Sequence, residues 1–312
     1  MASVDRFPRL SLGRWPTPVR FLPQTSAVLG ADVYAKIEDA CSAWGGNKVR
    51  KLEYVLGRAR AEGRSGVLTY GFEGSTWVAA TALHARRAGF DVRLVLTEPI
   101  PDDHLRLYDH LDVTVHTARG TAGFPLAAAR SRVAADRNTA VLPIGGSGGV
   151  GDVGSSGAGR EIAEAVRLGH IPEPARVVVP AGTSGTAGGI AAGLALGGLR
   201  VPVVAVRVTP KPLGTRKLVL RRARNVLSLL DAEVALPPII VEDRFLGAGY
   251  GRPTAAGARA MELARADDLE LEPTYSAKAF AALIELARSG AGGPFLFLHT
   301  PPGPLAPVLP AV

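Results

Sequence analysis

Lys48 closes the tetrapeptide Gly45-Gly46-Asn47-Lys48 and opens the helix-like run Val49 to Leu56, which sets a primary amine where a glycine turn meets a helix. An amine held at such a joint is suited to capturing an aldehyde as a Schiff base. Far downstream, Val177-Val178-Val179 reads as a buried strand entering a turn, and Ala187 to Leu196 reads as a helix of small residues beyond it. The turn between them, Gly182-Thr183-Ser184-Gly185-Thr186, joins permissive backbone, hydroxyl donors and the positive end of a helix, which suits a phosphate dianion. Each feature alone has a plainer meaning: a helix start with a surface lysine, or an ordinary strand-to-helix joint. Together, an aldehyde-capturing amine and a separate phosphate cradle are the two fittings that pyridoxal 5'-phosphate (PLP) requires.

These residues need a scaffold, and the pattern from about Arg64 supplies one. Gly66 to Tyr70 reads as a strand, Thr76 to Ala88 as a helix, Asp91 to Leu96 as a strand and Pro101 to His110 as a short helix. Val113 to Val115 continues as strand, Pro125 to Arg137 as helix and Thr139 to Ile144 as strand. Such alternation predicts parallel strands joined by helices. The Gly/Ser-rich run Gly145 to Gly159 reads as an ordered cleft loop, followed by a helix through Val166, a strand Arg176 to Val179 and a further strand Val201 to Val208. The expected class is α/β.

With 312 residues the chain has room for two domains or one large α/β unit, and two lobes with a cleft are the natural expectation. Hydrophobic residues make up 47% and charged residues 21%, a globular composition that leaves no reason to expect disorder. The net charge of +8 raises nucleic acid as a partner, with Lys211, Arg216, Lys217, Arg221, Arg222 and Arg224 the densest cluster. Apolar Leu218, Val219 and Leu220 interrupt that cluster and no aromatics interleave it, so a solvated helix face is the expected reading and no nucleic-acid partner follows. Cys41 stands alone, which excludes an intrachain disulfide and points to a packing residue. The histidines lack ligand-type spacing, so no metal is expected. Met1 to Leu10 has no signal-type apolar core and no later run is long enough to span a bilayer. The expectation is a cytoplasmic protein with no membrane partner.

The run Gly45-Gly46-Asn47-Lys48-Val49-Arg50-Lys51-Leu52-Glu53 resembles, without a gap, the Gly-Gly-Asn-Lys-x-Arg-Lys-Leu-Glu signature of the 1-aminocyclopropane-1-carboxylate (ACC) deaminase and D-cysteine desulfhydrase family. The resemblance continues in order through Gly71 to Gly89, Gly145 to Gly159, Gly182 to Thr186, Glu272 to Ala279 and Phe295 to Thr300. It implies PLP fold type II: two domains, each with a mainly parallel twisted sheet flanked by helices, and the cofactor in the cleft between them. The implied division is a large PLP-binding domain of residues 1–54 and 150–312 and a small domain of residues 55–149. A homodimer is implied as well.

The resemblance also assigns roles. Lys48 carries the cofactor; Ser75 falls on an active-site serine within Gly71-Phe72-Glu73-Gly74-Ser75-Thr76-Trp77, where relatives have Gly-Gly-x-Gln-Ser-Asn-His or -Gln. Thr76 stands for an asparagine that contacts the cofactor ring oxygen. Glu272-Pro273-Thr274-Tyr275-Ser276 resembles Asp-Pro-Val-Tyr-Thr, which sets Tyr275 and Ser276 against the cofactor with Ser276 at the pyridine nitrogen. Tyr250 matches a tyrosine near the substrate, and Thr300 faces the ring although Pro301-Pro302 replaces the usual Gly-Gly. The expected catalytic residues are therefore Lys48, Ser75, Tyr275 and Tyr250. The expected cofactor ligands are Lys48, Asn47, Thr76, Gly182, Thr183, Ser184, Gly185, Thr186, Ser276 and Thr300.

A neutral hydroxyl at the pyridine nitrogen makes a weaker electron sink than a carboxylate partner would. That favours β-elimination from a small amino acid, as in D-cysteine desulfhydration to pyruvate, ammonia and sulfide. The ACC deaminase branch carries Glu at the position of Ser276, which counts against cyclopropane opening. Departures at Gly74, Thr76, Trp77, Pro301 and Pro302 keep open a β-replacement synthase, and a metabolite-binding protein that has lost turnover is the non-enzyme alternative.

Overall fold

The structure, a computed structural model, describes residues 4–303. The chain begins with strand β1 (Val19–Phe21), helix α1 (Pro23–Leu29) and strand β2 (Val33–Ile37), then enters helix α2 (Lys48–Ala61). A four-stranded parallel unit follows: β3 (Gly66–Gly71), α3 (Thr76–Arg87), β4 (Asp91–Thr97), α4 (Asp102–His110), β5 (Thr114–Ala118), α5 (Gly120–Ala134) and β6 (Thr139–Val141). Its strand order is β5-β4-β3-β6, all parallel. The return segment runs α6 (Val150–Arg167), β7 (Arg176–Ala181), α7 (Gly185–Leu196), β8 (Val203–Arg207), α8 (Arg216–Leu229), β9 (Ile239–Glu242), α9 (Ala255–Arg265), α10 (Ser276–Arg288) and β10 (Phe295–His299). With β1 and β2 it builds a six-stranded sheet in the order β1-β2-β10-β7-β8-β9, in which only the β1–β2 pair is antiparallel.

Buried on both faces, the inner strands β7, β8 and β10 of the large sheet read as nearly continuous apolar runs. Alternation still sorts their side chains. Val177, Val179, Leu296 and Leu298 join the core under α6, α7 and α8, whereas Val178, Phe295 and Phe297 join the core under α9 and α10. A third core, built from α2, α3 and strands β3 and β4, fills the smaller unit.

The Gly/Ser-rich run departs from the expected loop. Helix α6 starts at Val150, so most of Gly145 to Gly159 is helical. The glycines serve close packing: a Cβ at Gly154 would lie 2.0 Å from the Arg50 carbonyl oxygen, and one at Gly159 would lie 2.3 Å from that of Ile190. Their absent side chains let α6 press its backbone against α2 and α7, which offsets their poor helix propensity. The strand expected over Thr139 to Ile144 ends at Val141, and the helix expected from Pro125 starts earlier, at Gly120, and takes Pro125 inside it.

The basic cluster is also resolved differently. Lys211 lies in the turn before α8, and Arg222 points inward to within 3.8 Å of the Asp152 carboxylate; Arg216, Lys217, Arg221 and Arg224 are the exposed remainder. Cys41 is buried, and burial raises its thiol to about 12. No helix among the described residues is long and apolar enough to cross a membrane, and no group of three or more His, Cys, Asp or Glu among them is arranged to hold a metal ion.

Candidate active site

A cavity of about 360 Å³ opens between the two sheets, where the first turns of α2, α3 and α7 converge. Lys48 is the first residue of α2, and the glycine turn before it is shaped by the chain end: a Cβ on Gly46 would sit 2.3 Å from the Pro301 carbonyl oxygen. The Lys48 amine donates to Asn47 Oδ1 at 2.9 Å and lies 5.6 Å from the centroid of the Tyr275 ring. Protein surrounds it on every side except the cavity itself. That burial, helped by repulsion from Lys51 and opposed by Glu272, lowers its pKa to about 7. A substantial fraction of the amine is therefore neutral at physiological pH.

The next motif residues buttress this amine. Arg50 binds Glu38 at 2.6 and 2.9 Å and Glu161 at 2.7 Å with two nitrogens, and Lys36 reaches Glu161 at 2.6 Å. Glu53 accepts from the Leu12 and Gly13 amides and the Trp15 indole. Two of the signature's charged residues thus pin α2 in place.

Across the cavity, Thr183, Ser184 and Thr186 form the turn from β7 into α7. Ser184 holds a left-handed backbone, with φ of 67°, and its buried hydroxyl has no hydrogen-bond partner. A non-glycine residue in that region carries backbone strain of about 1–3 kcal/mol, and an orphaned donor adds to the cost. An anion seated in the turn relieves the second of these. Asn47 Nδ2 donates to Thr186 Oγ1 at 3.0 Å, which ties the cradle to the Lys48 turn. Thr183 Oγ1 lies 2.6 Å from Ser147 Oγ, which in turn accepts from Lys51 at 2.8 Å. A Cβ on Gly185 would meet Asp152 Oδ1 at 2.2 Å, Ser147 Oγ at 2.3 Å and Lys51 Nζ at 2.6 Å, so this position accommodates no side chain without displacement.

Lys51 and Asp152 were not singled out from the sequence as site residues, and Arg222 was read there only as one member of a basic helix face. Burial lowers the Lys51 amine to about 8, with Asp152 opposing the shift and Arg222 reinforcing it. Two cations and one acid leave a positive balance behind the cradle, which favours a phosphate together with the unpaired amides at the start of α7. The pairing of Asp152 on α6 with Arg222 on α8 is long-range and has no local sequence signal.

Ser75 caps α3, accepting from the Val78 amide at 3.4 Å, and with Thr76 lines the cavity. Tyr250 and Tyr275 also line it, their hydroxyls 2.8 Å apart and their pKa values raised by burial. Thr300 completes one edge. Ser276 is not brought to the cavity surface: its hydroxyl accepts from the Glu272 amide at 2.7 Å and donates to the Glu272 carbonyl at 3.1 Å. Trp77 turns its indole N–H onto Thr69 at 2.8 Å. Lys211, read from the sequence as part of a helix face, borders the cavity with Pro210, Pro212 and Leu213.

A buried amine facing a hydroxyl-rich anion cradle across one cavity defines a class of cofactor enzyme, and the sequence belongs to it. The profile of the family described as pyridoxal-phosphate dependent enzyme matches residues 10–300. The chain belongs to that family, is a PLP-dependent enzyme, and has PLP fold type II. Among curated proteins it is 36% identical to nocardicin C-9' epimerase of Nocardia uniformis subsp. tsuyamanensis, over 96% of this chain and 93% of that protein. It is 32% identical to D-cysteine desulfhydrase of Salmonella choleraesuis, over 95% of this chain and 94% of that one. A solved structure of an ACC deaminase homologue superimposes with a TM-score of 0.85 at 29% identity, covering 96% of this chain and 93% of that chain.

Proposed function

We propose that the protein removes the Cα proton of an amino acid and expels its β substituent, releasing a 2-oxo acid and ammonia with uptake of one water. For D-cysteine the products are pyruvate, ammonia and sulfide. The observation that carries this reading is the buried Lys48 amine, lowered to about 7, in one cavity with a hydroxyl-rich turn suited to a phosphate. PLP, when bound, supplies the aldehyde that captures the amino group and the ring that withdraws the electrons of the Cα–H bond.

The residues of the chain perform the remaining tasks. Ser184, Thr183, Thr186 and the first amides of α7 hold the phosphate, with Lys51 adding charge behind them. Asn47 orients Lys48 through its 2.9 Å hydrogen bond. Once displaced by substrate, Lys48 is a general base whose proton affinity matches neutral pH. Ser75, at the start of α3, offers its hydroxyl to the substrate carboxylate. Tyr275, kept protonated by burial and hydrogen-bonded to Tyr250, donates a proton to the departing group. Thr76 and Thr300 border the ring. The reading includes a large PLP-binding domain of residues 1–54 and 150–312 and a small α/β domain of residues 55–149.

A second reading keeps the same proton abstraction and returns a proton to the opposite face, which inverts Cα. It is favoured by the 36% identity to a protein named as an epimerase and by the Tyr250–Tyr275 pair, a second proton-bearing group at the cavity. One experiment separates the two. The PLP-loaded protein is incubated in heavy water with D- and L-cysteine and with O-acetylserine; pyruvate and ammonia are assayed, and the recovered amino acid is analysed for Cα deuterium and configuration. Pyruvate marks elimination, inverted and deuterated amino acid without ammonia marks epimerisation, and unchanged substrate in every case would falsify both.

A further inference from the structure

Phe72 stands where the family pattern has its second glycine, and its ring lines the cavity. The ring is fixed in place. It stacks on Phe124 of α5 with centroids 5.2 Å apart and planes at 26°, and Phe124 in turn meets Tyr70 edge-on at 6.5 Å. On the other side Phe72 meets the edge of Tyr250 at 6.2 Å, and Tyr250 meets Tyr275 at 5.8 Å. The backbone beneath is held as well: the Glu73 amide donates to Thr97 Oγ1 at 2.9 Å and the Ser75 amide donates to the Phe72 carbonyl at 3.1 Å. Pro210, Pro212 and Leu213 line the same cavity.

We infer that the cavity, beside its Phe72–Tyr250 wall, takes an amino acid whose side chain carries an aromatic ring. Ring edges and faces recognise another ring by offset and edge-to-face contacts, and proline adds a flat apolar surface. Among the described residues that line the cavity none carries a carboxylate; its lysines are Lys48, Lys51 and Lys211, and the Glu73 carboxylate lies beside Gly251, outside the lining. The inference rests on the proposed Cα chemistry and names its substrate class. If elimination occurs the ring leaves as part of a stabilised leaving group, as when S-benzylcysteine and water give phenylmethanethiol, pyruvate and ammonia; if Cα is inverted the ring is retained.

The test uses the PLP-loaded full chain and two readouts. Exchange of the Cα proton with heavy water is followed by NMR for both enantiomers of phenylalanine, phenylglycine, S-benzylcysteine, cysteine, alanine, aspartate and lysine. Calorimetry compares α-methylphenylalanine with 2-aminoisobutyrate, which have no Cα proton to lose. The expected result is faster exchange for the aromatic set and about tenfold tighter binding of α-methylphenylalanine. Phe72→Gly removes both preferences, while Phe72→Leu, which keeps apolar bulk, retains part of them. Preferential exchange of cysteine, alanine, aspartate or lysine overturns the inference, as does equal binding of the two analogues. If no amino acid exchanges, the Cα chemistry itself falls, and the calorimetric preference still decides whether the wall recognises a ring.

Discussion

The Lys48 amine loses proton affinity chiefly because protein surrounds it, and that loss has a thermodynamic signature in the cofactor-free chain. Its pKa falls from 10.5 to about 7, so between those values the unfolded chain binds more protons than the folded one. Stability contributed by this group therefore rises with pH across that window, and its penalty is fully present below about 7. Lys48→Met is expected to resist urea better than the parent at pH 6, with the gap narrowing at pH 9.5. A gap of equal size at both pH values would show that the amine keeps its ordinary proton affinity. At the cradle, Ser184→Ala removes a buried hydroxyl that waits for an anion, and PLP retention is expected to weaken roughly tenfold, about the worth of one charge-assisted hydrogen bond. Titration of the visible absorbance measures it; Lys48→Ala should abolish that lysine-dependent band at any PLP concentration. The amine and the cradle were legible because each lies in one contiguous stretch of sequence. The position of Ser276 beside Tyr275 is plain in the sequence, whereas the direction of its hydroxyl, set by Glu272, is a property of the folded helix start.

Among the elements, the pairing of α6 with its neighbours explains why the Gly/Ser-rich run misled. Composition alone makes Gly145 to Gly159 resemble a loop; the decisive fact is which backbone each glycine faces, and that depends on α2 and α7, distant in sequence. Gly154→Ala places a methyl group 2.0 Å from the Arg50 carbonyl oxygen, so one helix must retreat. A loss of roughly 1–3 kcal/mol is expected, measured as a lowered urea midpoint with an unchanged slope. Because Arg50 and Lys48 share one turn of α2, the same substitution should also slow recovery of absorbance on adding PLP. By contrast, the alternation of β3 through β6 with their helices was readable directly: β3 and β4, the mainly buried strands, announce themselves as short apolar runs, and β5 and β6 follow from the alternation around them. Lys211 escaped that reading: charge density carried it into a helix that begins only at Arg216.

At the scale of the molecule, a buried network of two cations and two acids ties β2, α2 and α6 together through Lys36, Arg50, Glu38 and Glu161. Removing one member leaves an uncompensated charge, whereas removing an opposed pair does not. Glu38→Met is expected to cost roughly 3–5 kcal/mol, and the double change Glu38→Met with Arg50→Met to cost less than the sum of the separate changes. Chemical denaturation of the four proteins in that cycle provides the check. The large sheet carries a different implication. Strand β10, at residues 295–299, lies between β2 and β7 and not at an edge. During translation the four strands of the smaller unit are all made by residue 141, so that half can fold while the ribosome is still working. Its partner must wait with a gap in its middle, apolar faces uncovered, until residue 299 has been read.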